Sequence, residues 1–495
     1  MKLLYKISLL FSILMITYSG KAQQENTIYF MERIPQSQYL NPANHPDCKW
    51  WMGGLLVPVW PLPMFDPIFV HLPIYMDISV PYSLSNIVLY ENGKPDRTFG
   101  YSIDDQDKFL KKLSPINYVS NDFSLELLNV GFKQGKNYWD LSIQTKENLK
   151  VSFPYELFAF PLKGNLDRIN GTFDGEGLNA SVYQEASIGF NRQFSKYFRV
   201  GIRAKALFGI SNIATTSSKM KVISSEQSNE DLASSNNYLH FSMQTEADMM
   251  VNASVPFMNV TTDSSNYPDD ITFDDFDMNK ALKMKNYGWG LDFGFQKDWN
   301  SELTIFGSVI DFGFITWKNN PKNFNFKGKY TYNGLPFDLT KIDDFDIDTL
   351  LDQFKDNYKA TYTENTYKTH LNTKIFLGGN YKFTKKIAVG LLGRMEKYPY
   401  NYEYSATASL NLKPFKWGAF TLSESYFKKT FYNMGLGYTI RIGALQWYAI
   451  YDNLITALIF PEKARYFSAR WGVNLVFGRT KKNKADKNKP LLNTL

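Results

Sequence analysis

The chain has 495 residues, of which 44% are hydrophobic and 16% are aromatic, and its mean hydropathy is -0.32. So many ring side chains exclude intrinsic disorder, and beyond the N-terminus no segment approaches the roughly 20 apolar residues of a membrane-spanning helix. The net charge of +7 lies at the two ends, since residues 1–22 contribute +3 and residues 479–489 contribute +5. A body close to neutral argues against a nucleic-acid partner, and the composition favours an all-β fold.

Residues 1–22 have the features of a secretory signal peptide. Lys2 and Lys6 precede an apolar stretch, and the expected cleavage site follows residue 22. The sole cysteine, Cys48, lies well beyond that site, so neither a lipid-modified first cysteine nor an internal disulfide is expected. An exported chain of this kind needs another source of stability, and a closed hydrogen-bonded barrel would supply it.

Residues 198–211 show the clearest alternation of side-chain type. Apolar residues such as Ile202 alternate with Arg199, Arg203 and Lys205, and a period of two indicates a strand with two unlike faces. The run exceeds the roughly 9–11 residues that a tilted strand needs to cross a bilayer, whereas soluble strands have a mode of about 5–6. The length therefore favours a transmembrane barrel with its apolar face toward lipid and its polar face toward the lumen.

Similar runs recur along most of the chain. Ten more strands are predicted, at residues 178–194, 287–296, 302–317, 371–383, 387–396, 402–412, 416–426, 431–441, 444–452 and 471–478. Three others, from 51–60 or 73–82 and from the pair 122–133 and 138–147, bring the total to fourteen, and a further pair would make sixteen. Residues 216–255 either belong to the wall or extend a hairpin above the membrane.

The connections between these strands predict the orientation. Short polar or basic turns alternate with longer gaps in the C-terminal half, and short turns are typical of the periplasmic side of outer-membrane barrels. Residues 23–50 are then a periplasmic or lumenal N-terminal segment, residues 51–478 form the barrel, with long loops at about 251–285 and 318–370, and residues 479–495 form a basic periplasmic tail.

Several charged residues are expected to point into the lumen. Arg199, Arg203 and Lys205 project from one face of one strand, and Asp311 interrupts an apolar strand. The three cations could bind an anionic head group. Alternatively, they form a network of salt bridges with inward acids that fills the lumen, and the acids available for such a network include Asp292 and Glu185.

Motifs for catalysis or cofactor binding are missing. The sequence has no H-E-x-x-H, paired C-x-x-C or G-x-S-x-G, although His240 and Ser242 could meet a further group across strands in a barrel-embedded hydrolase. Gly288-Trp289-Gly290 and Gly435-Leu436-Gly437 lie within strands and lack a following helix. We therefore predict neither enzymatic activity nor a cofactor, and expect these glycines to leave room in the lumen.

An acidic insert offers one candidate metal site. The D-x-D-x-D spacing from Asp344 matches the first ligands of a calcium loop, but Thr349 and Lys355 stand where that loop needs Gly and Glu. We expect solvated loops here, with calcium as the alternative and no metal site assigned.

The opening of the mature chain resembles a known family. Asn41-Pro42-Ala43, shortly after the signal, resembles the N-terminal motif of FadL-type outer-membrane transporters of hydrophobic compounds, in which this region forms a hatch inside a fourteen-stranded barrel. The segment Gln38 to Ala43 and the strand from Ser308 to Trp317 also resemble an uncharacterised family of exported barrels that is similar to PorV-like secretion barrels. The resemblance implies that Asn41, Pro42 and Ala43 are hatch residues, while proline after asparagine favours a turn on local grounds alone.

The sequence therefore predicts an all-β, antiparallel, FadL-like β-barrel in the outer membrane of a Gram-negative cell. Its leading predicted function is a channel or transporter for small hydrophobic or amphipathic molecules. The alternative is a non-transporting, PorV-like barrel that docks an envelope secretion or assembly complex. The expected partners are accordingly outer-membrane lipid, a small hydrophobic ligand or an envelope protein complex.

Overall fold

The computed structural model describes residues 26–55, 73–91, 94–163, 170–226, 241–263, 268–275, 285–332, 360–428, 430–431, 433–459 and 461–479. The predicted signal peptide, His240, the calcium-like sequence that begins at Asp344, and the basic tail beyond Arg479 lie outside these described residues.

Strands dominate the described chain. In chain order they are β1 (Cys48–Gly53), β2 (Ile74–Ser79), β3 (Val88–Glu91), β4 (Lys94–Thr98), β5 (Ile116–Gln134), β6 (Asn137–Pro154), β7 (Asn170–Thr172), β8 (Gly177–Ser195), β9 (Phe198–Glu226), β10 (Phe241–Ser254), β11 (Met258–Thr262), β12 (Pro268–Phe273), β13 (Asn286–Asp298), β14 (Leu303–Trp317), β15 (Pro321–Tyr332), β16 (Ala360–Thr363), β17 (Tyr367–His370), β18 (Lys374–Lys382), β19 (Ile387–Lys397), β20 (Tyr402–Leu412), β21 (Gly418–Tyr426), β22 (Met434–Ile442), β23 (Leu445–Asp452) and β24 (Tyr466–Arg479).

Helices are few and short. They are α1 (Asn26–Tyr29), α2 (Leu84–Ile87), α3 (Ile103–Leu110), α4 (Glu156–Lys163) and α5 (Leu454–Ile459), with 3-10 turns at Pro35–Tyr39 and Pro461–Lys463. None of the helices in the described chain has the length and apolar character needed to cross a membrane.

The sheet closes because β1 and β2 share one strand position. β1 pairs with β24 through Cys48 and Arg479, and β2 pairs with the same strand through Ile74 and Trp471. Both also pair with β5 on their other side. Together with β5, β6, β8, β9, β13, β14 and β18 to β24, they form an antiparallel barrel of fourteen strands. The predicted strand number is confirmed. The alternatives 51–60 and 73–82 each overlap one half of the first strand, β1 and β2 respectively, within the residues that the structure describes.

The outer face of the barrel is apolar. Leu391 is 66% exposed and Leu377 is 61% exposed, whereas Arg203 is only 1% exposed. A soluble sandwich would bury its leucines between sheets. The reversed pattern confirms a transmembrane barrel of the outer-membrane type, with apolar side chains toward lipid and polar side chains toward the lumen.

One end of the barrel extends well beyond the wall. β9 continues to Glu226 instead of ending near residue 211, and its upper half pairs with β10, which in turn pairs with β15. Residues 241–254 therefore extend the sheet above the membrane and add no strand to the fourteen. The long regions predicted at 251–285 and 318–370 likewise contain the β11–β12 hairpin and β15 to β17.

At the opposite end, six short turns connect the strands, between β5 and β6, β8 and β9, β13 and β14, β18 and β19, β20 and β21, and β22 and β23. Short turns at one end and long extensions at the other are the asymmetry expected of an outer-membrane barrel, and we call the end with the short turns the periplasmic end.

Candidate functional site

The lower lumen is occupied by the start of the described chain, residues 26–47, which we call the N-terminal plug. Its polar side chains bond to the wall on several sides, since Asn26 donates to the Thr407 hydroxyl (2.9 Å) and Gln36 donates to the Asn474 side chain (2.8 Å). Its apolar side chains, Ile28, Phe30, Ile34 and Leu40, pack in one cluster with wall residues that include Phe306 and Phe376. The plug thus forms hydrogen bonds with hydroxyl and amide groups of the wall and packs against the apolar side chains that point into the lumen.

The three residues Asn41, Pro42 and Ala43 form a turn within the plug. The Asn41 carboxamide accepts a hydrogen bond from the Ala43 amide (2.9 Å) and donates to the Phe295 carbonyl (3.3 Å), while the Asn191 side chain donates to the Pro42 carbonyl (2.9 Å). The motif is therefore a local turn and also a contact between the plug and the wall.

Glycines in the wall make room for this turn. A Cβ at Gly201 of β9 would collide with the Pro42 carbonyl, and one at Gly294 of β13 would collide with the Asn41 side chain. Gly435 and Gly437 approach the plug in the same way, at Thr27 and Met31. The space that the sequence analysis expected small residues to leave in the lumen is occupied by the plug at these positions.

A buried group of charges, which we call the lumen charge cluster, lies above the plug. It consists of Lys146, Glu185, Lys205, Asp292 and Asp311. The Lys205 ammonium lies 2.7 Å from Asp292 and 2.5 Å from Asp311, and Lys146 lies 2.7 Å from Glu185. Each of these cations is thus held by acids of nearby wall strands, β6 with β8 and β9 with β13 and β14, which is the arrangement required by the salt-bridge interpretation of Lys205.

The other two predicted cations lie at different levels. Arg203 pairs with Asp140 at 2.5 Å and donates to the Gln38 carbonyl (3.0 Å), so it ties the plug to the wall. Arg199 lies nearer the periplasmic end, where burial together with the Arg199 charge lowers the pKa of His45 to about 3. The strand thus brings Lys205 into the lumen charge cluster, while Arg203 and Arg199 contact or face the plug.

Asp311 reaches the cluster through an irregularity in its strand. Its φ of +58° is left-handed, and the β13–β14 register shifts between Leu291 and Phe293. The Asp311 amide donates to the Asp292 carboxylate (2.8 Å). A non-glycine residue in this conformation costs roughly 1–3 kcal/mol and persists where its surroundings determine it. The bulge therefore turns Asp311 toward Lys205, in keeping with the inward direction expected from the sequence.

A second ion-pair group, which sequence analysis missed, consists of Lys150, Arg394 and Glu396. Lys150 lies 2.8 Å from Glu396 and 3.5 Å from the centre of the Tyr398 ring, and Arg394 also bonds to Glu396. Arg394 and Glu396 occupy alternate positions of a predicted strand, a signal that could have placed them in the lumen. Lys150 follows the predicted end of its strand, so its direction was not predictable.

Two small cavities lie above the plug. Their volumes are about 60 and 70 Å³, and both are lined by Asn148, Tyr183, Leu371 and Asn372. Tyr39 and Leu40 of the plug line the first cavity. Pockets for drug-sized ligands have volumes of roughly 300 Å³ or more, so these cavities hold a few water molecules or a small head group.

One lysine at the first cavity differs from the other lysines that line it. Lys146 and Lys205 are paired with acids, whereas Lys374, which also lines the cavity, makes no ion pair within 4.0 Å among the described residues. It was not singled out by sequence analysis because it lies near the start of its predicted strand. Its charge faces Glu396, Asp122 and Asp311 without a direct ion pair to any of them.

In the described part of the chain, no group of three or more histidine, cysteine or acidic residues could hold a metal ion. Fold and lumen together define a plugged, fourteen-stranded transmembrane β-barrel.

Residues 63–452 match the model of a family of unknown function (DUF5723), and because this match covers most of the chain, the protein belongs to that family. No curated protein matches the sequence.

Solved FadL-type channels are similar to the chain over nearly its whole length. The toluene transporter TodX of Pseudomonas putida is 8% identical, with 92% of this chain and 93% of TodX covered and a TM-score of 0.36. A FadL homologue of Pseudomonas aeruginosa is 9% identical, with coverages of 92% and 97% and a TM-score of 0.35. The monoaromatic hydrocarbon channel CymD is 9% identical, with coverages of 93% and 95% and a TM-score of 0.25.

Proposed function

We propose that this barrel is a gated outer-membrane channel in which the N-terminal plug is the gate. The observation that carries the proposal is the contrast between plug and wall. At several positions around the plug the wall presents glycines and short side chains, such as Gly201, Gly294, Ser308 and Thr407, and the volume they leave is taken up by a separate stretch of chain. A barrel of this size does not fill its own lumen, so displacement of the plug would open a pore.

The proposed cargo is a small amphipathic molecule with an anionic head group. The cavities above the plug are small and lined by charged and polar groups, which disfavours a purely hydrophobic cargo at this level. Lys374 and Arg203 line the first cavity beside the apolar Leu371 and Ile310. A carboxylate or phosphate would bind the lysine while a short chain lies against the two apolar residues.

The gate is tested by conductance in planar bilayers. The mature chain is expected to show little conductance, and a variant that lacks residues 26–44 is expected to form a stable open pore. A variant that lacks the β11–β12 hairpin, residues 258–273, is the control for deletion of a segment and should remain closed. A folded plug deletion with the conductance of the full chain would contradict the gate.

The cargo is tested by calorimetric titration with hexanoate and with hexanol, which has the same chain length without the charge. Lys374→Gln is expected to weaken hexanoate binding about tenfold, as for loss of one charge-assisted hydrogen bond, and to leave hexanol binding unchanged. Lys327→Gln, at an exposed lysine of the extension, is the control. Equal binding of both ligands by the full chain would remove the anionic head group from the proposal.

A docking role is the second candidate function. The observation that favours it is that the plug and two ion-pair groups occupy the described lumen while β9, β10 and β15 project beyond the membrane. Extraction in a mild detergent that retains a large envelope protein, together with a plug deletion that stays closed, would favour docking over transport. The absence of enzymatic activity stays a prediction, because His240 lies outside the described residues.

A further inference from the structure

The six periplasmic turns share a composition that the lumen does not explain. Each turn or its flanking strand residue carries a lysine or arginine, and five of the six carry an exposed aromatic ring. The cations are Lys136, Lys196, Lys297, Lys385, Lys386, Lys416 and Arg441. The rings are Phe132, Phe194, Tyr197, Trp299, Phe383, Phe415 and Trp417. We call these residues the turn ring.

The aromatic side chains of the turn ring are exposed, like the outward residues of the wall. Trp299 is 64% exposed and Phe383 is 61% exposed. Large apolar groups on a surface usually mark a contact with protein or membrane. The Lys297 ammonium lies 4.7 Å from the centre of the Trp299 ring, and Phe415 stacks on Trp417 at the same separation. Rings and cations therefore lie at one level around the barrel, as expected at the boundary between acyl chains and head groups.

Four lysines of the turn ring are not paired with an acid in the described part of the chain. Lys297, Lys385, Lys386 and Lys416 make no ion pair among the described residues. The two acids at the β13–β14 turn accept hydrogen bonds from uncharged hydroxyls, Asp298 from Thr304 (2.7 Å) and Glu302 from Tyr381 (2.7 Å). At the other end of the barrel, Lys327 lies 3.2 Å from Asp248 and Lys329 lies 3.4 Å from Glu246, whereas Lys219 and Lys221 make no ion pair among the described residues. What distinguishes the four lysines of the turn ring is their place beside exposed aromatic rings at one level of the barrel.

We propose that the turn ring binds the head groups of anionic phospholipids in the periplasmic leaflet. The rings lie among the upper acyl chains, and the lysines reach the phosphates beside them. A lysine near an anionic membrane surface gains about fivefold in binding, and a zwitterionic head group offers less of this attraction. This inference does not depend on whether the lumen conducts.

The test compares binding of short-chain phosphatidylglycerol and phosphatidylcholine to the mature chain in a neutral detergent, measured by native mass spectrometry. One variant carries Lys297→Gln, Lys385→Gln, Lys386→Gln and Lys416→Gln. The matched control removes the same charge from the opposite end, through Lys219→Gln, Lys221→Gln, Lys327→Gln and Lys329→Gln. Retention of the heat-modifiable gel shift shows that each variant still forms the barrel.

The full chain and the control are expected to prefer phosphatidylglycerol at least about fivefold at low salt. The turn-ring variant is expected to lose that preference, and raised salt should reduce it in the full chain because these charges are exposed. Equal binding of both lipids by the full chain, or the same loss in the control, would overturn the inference. So would an acidic envelope protein that binds the turn ring while the lipid preference is unchanged in the variant.

Discussion

Lys205 shows how a single residue determines which buried charges are paired in the lumen. It is buried between Asp292 and Asp311, and its ammonium is the shared partner of both carboxylates. A buried acid without its cation is costly because the lumen supplies fewer compensating dipoles than bulk water. The direction of this side chain followed from alternation in the sequence, but its partners depend on the register between β9, β13 and β14, which no local pattern specifies.

Lys205→Met is therefore expected to destabilise the barrel by roughly 3 kcal/mol, the typical loss when one partner of a buried ion pair is removed. Adding Asp311→Asn should recover part of this loss, because one uncompensated charge is removed. Urea unfolding in lipid vesicles measures both effects. An unchanged midpoint for the single variant would show that the lumen charge cluster is solvated enough to need no pairing.

Gly201 and Gly393 form a matched pair for the contact between plug and wall. A Cβ at Gly201 collides with the plug, whereas one at Gly393 has only the Leu377 carbonyl at 3.6 Å as its nearest neighbour. Gly201→Ala is expected to displace the plug and raise bilayer conductance, while Gly393→Ala should leave the channel closed. If both variants stay closed and equally stable, the plug adjusts to the wall more freely than the close contact indicates.

Among the elements, the strands with long uninterrupted alternation were the most predictable. β8, β13, β19 and β20 lie within about two residues of their predicted bounds, because a strand that faces lipid on one side and the lumen on the other must alternate throughout. β9 was predicted too short because a register shift near its middle interrupts the alternation. β1 and β2 could not be joined from sequence, since the apolar, proline-rich residues 54–73 separate two short halves.

The stability of helix α3, which lies outside the membrane, depends on hydrogen bonds to the Asp105 carboxylate in its first turn. The hydrogen bond from Arg97 (2.9 Å), together with one from the Ser102 hydroxyl (2.7 Å), lowers the pKa of Asp105 below its ordinary value of 3.8. Because the folded-state pKa is the lower one, this stabilisation is present above the ordinary value and is lost as the pH falls through the folded-state pKa.

The protection of residues 103–110 against hydrogen exchange, relative to the intrinsic exchange rate, should accordingly fall at acid pH before the protection of the barrel strands does. Arg97→Gln should raise the pH at which this loss of protection begins, and Lys112→Gln, at an exposed lysine just beyond the helix, serves as its control. Simultaneous loss of protection in the helix and the barrel of the full chain would contradict a local role for the Arg97–Asp105 pair.

At the scale of the whole molecule, the apolar side chains of the barrel point outward to lipid, and the plug occupies the lower lumen. The fold class and strand number were predictable because both follow from period and length. The plug's contacts were not, because a short irregular segment carries no periodic signal and its place is set by glycines and hydroxyls on distant strands. The two ion-pair groups depend in the same way on strand register.

The most direct test measures accessibility along β9 in lipid vesicles. The sole cysteine, Cys48, is replaced by serine, and single cysteines at positions 200 to 208 carry spin labels. Labels at Ile202, Ala204 and Phe208 are expected to be relaxed by lipid-soluble oxygen, while labels at Arg203 and Leu207 are shielded from it. A label pattern without this alternation, or one in which all positions are equally accessible to a water-soluble nickel chelate, would contradict the lipid-facing barrel.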